Sequence, residues 1–129
     1  MGGGKVGGGF QNTAGSKFNY SVQYRKSCKI SRKKQDKHIK GTDKYDKAVR
    51  KGENPSFVTA DAKEMLKQGA GKGHMCAKNC EVFDYKKNIG YYVNEFTGAK
   101  YKTTRATIHY DTYGNAHVVP ARPRWMLPK

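Results

Sequence analysis

Acidic residues are scarce in this chain. It carries 10 Asp and Glu against 26 Lys and Arg, a formal charge of +16 over 129 residues. Self-repulsion of that size destabilises a compact state. A chain that carries it ordinarily has an anionic partner, with nucleic acid ahead of an acidic membrane or an acidic protein. Solubility alone needs no such imbalance of sign. Long apolar runs are missing too. Hydrophobic residues make up 36%, and no run approaches the roughly 20 residues of a membrane span. Met1 to Gly9 is glycine-rich and lacks the apolar stretch of a signal peptide. Residues 1–16 therefore read as a flexible glycine-rich linker, and 17–129 as a single domain with one economical core.

Cysteine is sparse as well. Cys28, Cys76 and Cys80 are odd in number, which argues against a disulfide framework. His74, Cys76 and Cys80 form an H-x-C-x3-C cluster, but a closed zinc site needs a fourth ligand, and only Cys28 or a distant His is left to supply it. The preferred reading is three small residues near a turn, with a Cys76–Cys80 link as a third alternative. No metal and no cofactor is expected. The glycine-rich stretch from Gly69 to Gly73 resembles a phosphate loop only superficially, because Gly73 rather than Ser or Thr follows Lys72 and no strong strand precedes it.

What is present is organised in two parts. Phe18 to Tyr24 alternates apolar and polar residues and reads as a short strand. From Arg25 to Lys51 come 12 Lys and Arg against three Asp. Ile30 to Ile39 and Asp43 to Arg50 read as short helices broken at Gly41-Thr42, with Thr42 or Asp43 capping the second. Thr59-Ala60-Asp61 opens a further helix that turns Met65 and Leu66 inward and stops at Gly69. The final third reads as a β-meander: Cys80 to Asp84, Ile89 to Asn94, a long strand from Tyr101 to Tyr110, and Ala116 to Val119, with turns at Thr97-Gly98 and Gly114-Asn115. Helices first and strands after predict an α+β fold, with N-terminal helices packed on a C-terminal antiparallel sheet of about four strands.

Chemistry points to the four histidines, His38, His74, His109 and His117. RNA is cut without a metal when one group takes the 2′-OH proton, a second protonates the leaving 5′-oxygen, and a cation steadies the phosphate. His suits both proton-transfer roles near neutral pH, and Lys or Arg suits the third. Alternation puts Arg105, Thr107 and His109 on one strand face and Ala106, Ile108 and Tyr110 on the other. His117 follows on the next strand. An odd-length loop brings it to the face of His109, and an even one to that of Tyr110. Composition alone makes His38 an incidental side chain of a solvated basic helix.

The segment Lys34-Gln35-x-Lys37-His38-Ile39-x-Gly41-Thr42 resembles the opening motif of the bacterial polymorphic toxin type 50 family. Asn54-Pro55-Ser56-x-Val58-Thr59-x-Asp61-Ala62, followed by Gly69-Ala70-Gly71, is similar to its middle helix and glycine turn. Ile89-Gly90, Thr97-Gly98, Arg105-x-x-Ile108-His109-Tyr110 and Gly114-x-x-His117-x-Val119-Pro120 are similar to its C-terminal signature. The resemblance runs through three motifs in order, from about Phe18 to Pro120. It implies a toxin domain at the C-terminus of a larger secreted or phage-borne protein. It also implies an RNase with the fold shared by barnase, EndoU, colicin-type RNases and RelE, and a cognate immunity protein, expected to be acidic. Carried over residue by residue, it implicates His38, Thr42, Arg105, His109, Tyr110 and His117. Asp111 and Ala116 depart from the usual hydroxyl residues and are assigned no phosphate contact.

The expectation is a ribonuclease acting in the target-cell cytoplasm, with tRNA one candidate substrate. Lys34, Lys37, Lys40 and Arg105 would hold phosphates, with Thr42 and Thr107 beside them. His109 and either His38 or His117 would share the acid and base roles, leaving a 2′,3′-cyclic phosphate. Tyr110 would bond the phosphate or stack on a base. The main rival is a basic nucleic-acid-binding module without catalysis, for which nine Tyr interleaved with Lys are well suited. A deaminase lacks its H-x-E and P-C-x-x-C pair, an ADP-ribosyltransferase lacks a convincing nicotinamide motif, and a structural phage protein would leave its host unharmed on expression.

Overall fold

The inner face of the main sheet is dictated by alternation. Ala106, Ile108 and Tyr110 pair with Pro120, Val118 and Ala116 across two neighbouring strands, and all six are buried. Ile108 and Val118 are fully buried, each contributing about 1.5–3 kcal/mol of hydrophobic stabilisation. Those strands are β7 (Arg105–Tyr110) and β8 (Asn115–Pro120) in the computed structural model, which describes residues 20–77 and 79–128. Residues 1–16, read as a linker, lie outside the described residues, as does Phe18.

The preceding elements are α1 (Val22–Ser27), β1 (Lys29–Ile30), α2 (Arg32–Gln35) with a 3-10 turn Asp36–His38, α3 (Asp43–Arg50), β2 (Phe57–Val58), α4 (Ala62–Gly69), β3 (His74–Ala77), β4 (Cys80–Asp84), β5 (Gly90–Val93) and β6 (Lys100–Thr103). A second 3-10 turn, Arg124–Met126, follows β8. The fold is α+β. One sheet has the order β1-β8-β7-β4-β3 and another the order β2-β5-β6. Four strands of the larger sheet are antiparallel, but they are not the four expected: β3 joins them, while Ile89 to Asn94 and the start of the Tyr101 to Tyr110 stretch supply β5 and β6 of the smaller sheet. The fifth, β1, runs parallel to β8, so the sheet is mixed.

Three readings of the sequence need correction. Tyr20 to Tyr24 does not form a strand. Ser21 caps α1 by accepting from the Tyr24 amide, and Tyr20 and Tyr24 stack one helical turn apart at 4.7 Å. Ile30 to Ile39 is not one helix, because Ile30 pairs with Ala116 in the sheet and the Ser31 amide donates to the Ala116 carbonyl. Tyr101 to Tyr110 is not one strand either. The chain changes sheets at Thr104, whose carbonyl accepts from the Tyr85 amide.

Helices α3 and α4 follow their caps, Thr42 and Asp61, and α4 turns Met65 and Leu66 into the core. That core also takes in Ile89, Ala106, Ala116 and the buried thiol of Cys28. A smaller cluster of Tyr45, Phe57 and Val93 lies under α3. Cys76 and Cys80 are joined as a disulfide across the β3–β4 turn, which corrects the reading of them as mere small residues. Among the described residues no group of His, Cys, Asp and Glu is arranged to hold a metal ion.

Glu81 ties these layers together. Its carboxylate is fully buried and accepts from Arg25 Nη1 at 2.8 Å, the Gly71 amide at 2.8 Å, the Gly73 amide at 2.9 Å and the Tyr110 hydroxyl. A buried charge is tolerated only when so fully paired. Gly73 must remain glycine here, since a Cβ would sit 2.3 Å from the Val82 carbonyl oxygen.

Candidate active site

The outer face of β7 and β8 carries the site. Five residues separate Tyr110 from Ala116, so the loop is odd and His109 stands directly opposite His117. Asp111 sets that loop: its Oδ1 accepts from the amides of Tyr113 and Asn115, at 2.8 and 2.9 Å. The two imidazoles stack with centroids 4.9 Å apart. His38 reaches the same place from the 3-10 turn and lies parallel to His117 at 6.2 Å. The three rings therefore form a row, with His117 in the middle.

A side chain outside every expectation fixes this meeting. β1 covers the edge of β8 only as far as Ala116. Beyond it the buried Gln35 amide takes the place of a strand: Nε2 donates to the Val118 carbonyl at 2.9 Å and Oε1 accepts from the Val118 amide at 2.7 Å. Three residues later His38 Nδ1 lies 2.8 Å from the Ser56 carbonyl. A carbonyl only accepts, so Nδ1 carries the proton and Nε2 is left with a free lone pair in the neutral ring.

All three histidines are held below their ordinary pKa. Burial is the main cause for each. For His117 the neighbouring His109 and His38 and then Lys34 add to it and push the value down to about 4. Lys34 also lowers His109. For His38 the bond to Ser56 opposes burial, while Lys37 and His109 reinforce it. Burial and the neighbouring lysines thus favour the neutral form along the row.

Those lysines line an open cleft of about 460 Å³ that reaches His38 and His117. Lys33, Lys34 and Lys37 come from α2 and its 3-10 turn, and Lys44, Lys47 and Lys51 from α3 and its cap. Glu53 is the only carboxylate in the lining and pairs with Lys37 at 2.8 Å. Lys33, Lys44, Lys47 and Lys51 were not among the expected site residues, although the spacing of Lys44, Lys47 and Lys51 by three and four is the mark of a single helix face. A second cleft of about 680 Å³ opens on the other side of His38, between Pro55, Ser56, Tyr92, Phe96 and Val119.

Other expected residues lie elsewhere. Tyr110 is buried on the opposite sheet face with its hydroxyl on Glu81, so it cannot meet a substrate beside His109. Arg105 shares the face of His109 but sits four residues away, about 13 Å along the strand. Its Nη1 donates to the Arg122 carbonyl at 2.7 Å. Thr107 lies between them, opposite Val119. Thr42 Oγ1 is consumed by the cap, donating to the Asp36 and Ile39 carbonyls and accepting from the Tyr45 amide. Lys40 rests over the Phe57 ring at 5.5 Å, away from the histidine row. The Lys34 ammonium pairs with Asp111 at 3.7 Å and lines the small recess beside His109 and His117.

The family model described as bacterial toxin 50 matches residues 30–120, well over half of the chain. Neither a curated protein nor a solved structure matches it. The matched span begins in β1 and ends with β8, and so contains all three histidines of the row and the six lysines of the cleft.

Proposed function

The chain belongs to the bacterial toxin 50 family, and from that premise we propose that it is an endoribonuclease whose acid and base are histidines. The observation that carries this reading is the pairing of His38 and His117 at the floor of a six-lysine cleft. The lysines supply phosphate contacts. His38 Nε2, freed by the Nδ1 bond to Ser56, takes the proton of a 2′-OH. The 2′-oxygen then bonds to phosphorus while the bond to the 5′-oxygen breaks. His117 as imidazolium gives its proton to that leaving oxygen, leaving a 2′,3′-cyclic phosphate and a 5′-hydroxyl end. Lys34 steadies the charge on the phosphoryl oxygens.

His117 acquires its proton from the encounter. A phosphate charge about 4 Å away attracts an imidazolium by about 4 kcal/mol at a protein surface, and each pKa unit corresponds to about 1.4 kcal/mol. That attraction opposes the burial and the neighbouring charges that hold His117 down. His109 does not line the lysine cleft and stacks behind His117. Its role is to hold that ring and tune its proton affinity.

As a toxin domain of a larger secreted effector, the enzyme would act on RNA in the cytoplasm of a target cell, and an acidic immunity protein would block the lysine cleft in the producer. The test is incubation of the purified protein with total RNA and with tRNA in EDTA. Fragments ending in cyclic phosphate, reduced roughly a hundred- to ten-thousandfold in His38→Ala and His117→Ala, are the expected result. RNA that is bound and left intact would instead establish the non-catalytic binding module, which the same lysines favour.

A further inference from the structure

Apart from the exposed Tyr113 in the β7–β8 loop, two exposed and two half-buried aromatic rings lie outside the core on one side of the smaller sheet. Phe96 is 86% exposed and Trp125 is 69% exposed. Phe96 is presented by a built turn, in which Asn94 Oδ1 accepts from the amides of Phe96 and Thr97 at 2.8 and 3.0 Å. On the smaller sheet Tyr91 and Val93 turn toward the Phe57 cluster, so their neighbour Tyr92 turns away from it. Tyr92 pairs with Tyr101 across the ladder, with ring centroids 6.5 Å apart, and Tyr101 meets Trp125 edge-on at 5.7 Å.

This row starts at the histidines. Tyr92 and Phe96 line the second cleft together with His38. It ends among cations: Arg124 adjoins Trp125, and the charge of Arg124 lowers the pKa of Arg105 after burial has done so first. Asp84 pairs with Arg124 at 3.1 Å. Exposed and half-buried aromatic rings that begin in a cleft holding Lys37 and His38 beside Glu53 and Glu95, and that end next to Arg124, match the stacking platforms of proteins that bind unpaired nucleic acid.

We propose that Phe96, Tyr92, Tyr101 and Trp125 form a stacking ledge for unpaired nucleotides, which makes the substrate single-stranded or loop RNA rather than duplex. In a duplex each base face is covered by its neighbours and unavailable to a ring, whereas unpaired bases stack on aromatics freely. The proposal rests on the ribonuclease reading for the identity of the ligand as substrate, but the stacking itself is measured without catalysis.

Trp125 is the only tryptophan of the chain, so its fluorescence reports on the ledge alone. The probe is an unpaired 2′-O-methyl oligoadenylate, which lacks the nucleophile and stays intact, compared with a blunt 2′-O-methyl duplex of equal length. The single strand is expected to quench Trp125 and to bind about tenfold tighter than the duplex. Phe96→Ala and Trp125→Leu should weaken single-strand binding about fivefold or more each and leave duplex binding, read by anisotropy, unchanged. Equal affinity for both forms, or saturable single-strand binding with no change in Trp125 emission, would overturn the ledge. Quenching without cleavage of the matching 2′-hydroxyl strand would keep the ledge and remove the ribonuclease reading. Cleavage without quenching would do the reverse.

Discussion

Gln35 and Val118 exchange two hydrogen bonds, amide to carbonyl in each direction, and so a side chain continues the edge of β8 where β1 stops. This is what sets His38 against His117. In Gln35→Ala both polar groups of Val118 lose their partners in a buried place, at a cost of about 1–3 kcal/mol. The expected outcome is a fold that survives at low temperature, measured by urea unfolding, with kcat lowered far more than RNA affinity. An equal loss of both would remove the positioning role.

Acid should unfold this protein early. His38, His109 and His117 are held below 6.5 in the folded chain, His117 at about 4, and regain the ordinary value when unfolded. The unfolded state therefore takes up protons first as pH falls. Stability is fully present above about 6.5 and is lost progressively toward 4. Thermal melts between pH 7 and 4.5 should show Tm falling over that window, with a shallower fall in a variant carrying Ala at all three positions. Sulfate, which favours the protonated row, should raise Tm more at pH 5 than at pH 7.

His109 acts on the pH profile. Removing its ring relieves both the burial and the charge that depress His117. His109→Ala is expected to move the pKa of the catalytic acid upward and shift the activity profile to higher pH, whereas His117→Ala lowers cleavage at every pH roughly a hundred- to ten-thousandfold. A profile for His109→Ala that is lowered without moving would contradict this.

The lysines of α3 are expected to behave as phosphate contacts. Each of Lys44→Ala, Lys47→Ala and Lys51→Ala should reduce the slope of log affinity against log salt by about 0.7–0.9, the value for one neutralised phosphate, without changing which RNA is preferred. Fluorescence anisotropy across a salt series measures it. Lys40→Ala, over the Phe57 ring, should leave the slope alone.

Tyr110 and Glu81 should separate stability from activity. Tyr110→Phe removes one of the four donors on Glu81 and costs about 1–3 kcal/mol, yet its kcat should stay within a factor of two or so of the parent once the protein is folded. Glu81→Ala leaves Arg25 buried without its partner and costs about 3–5 kcal/mol. Urea unfolding and a cleavage assay on the same samples give both readouts. A large catalytic loss in stable Tyr110→Phe would return the phenol to the site.

Local signals were readable in the sequence, and distant ones were not. Thr42 or Asp43, and Thr59-Ala60-Asp61, announced α3 and α4, and β-forming residues between turn signals announced β4, β7 and β8. The face shared by Arg105, Thr107 and His109 followed from period two alone. Ile30 was misread because its partner Ala116 is far away in the chain, and a parallel pairing leaves no local mark. The stretch from Tyr101 to Tyr110 has no Gly or Pro where it changes sheets. The break is recorded instead by the Tyr85 bond to the Thr104 carbonyl and by the Arg105 amide turning back to Thr103 Oγ1. At the site the same limit held. The loop parity that faces His117 to His109 is set by the Asp111 side chain. The exclusion of Arg105 depends on how far a strand extends, and that of Tyr110 on which face meets the core.

The position of β8 has a consequence for synthesis. It lies between β1 and β7, yet it is the last of the described strands in chain order. Until it is made, β1 and β7 have no strand between them, Gln35 has no edge to bind, and His38 lacks the ring it lies parallel to. The row of three imidazoles therefore comes together only after β8 has been made and has taken its place between β1 and β7.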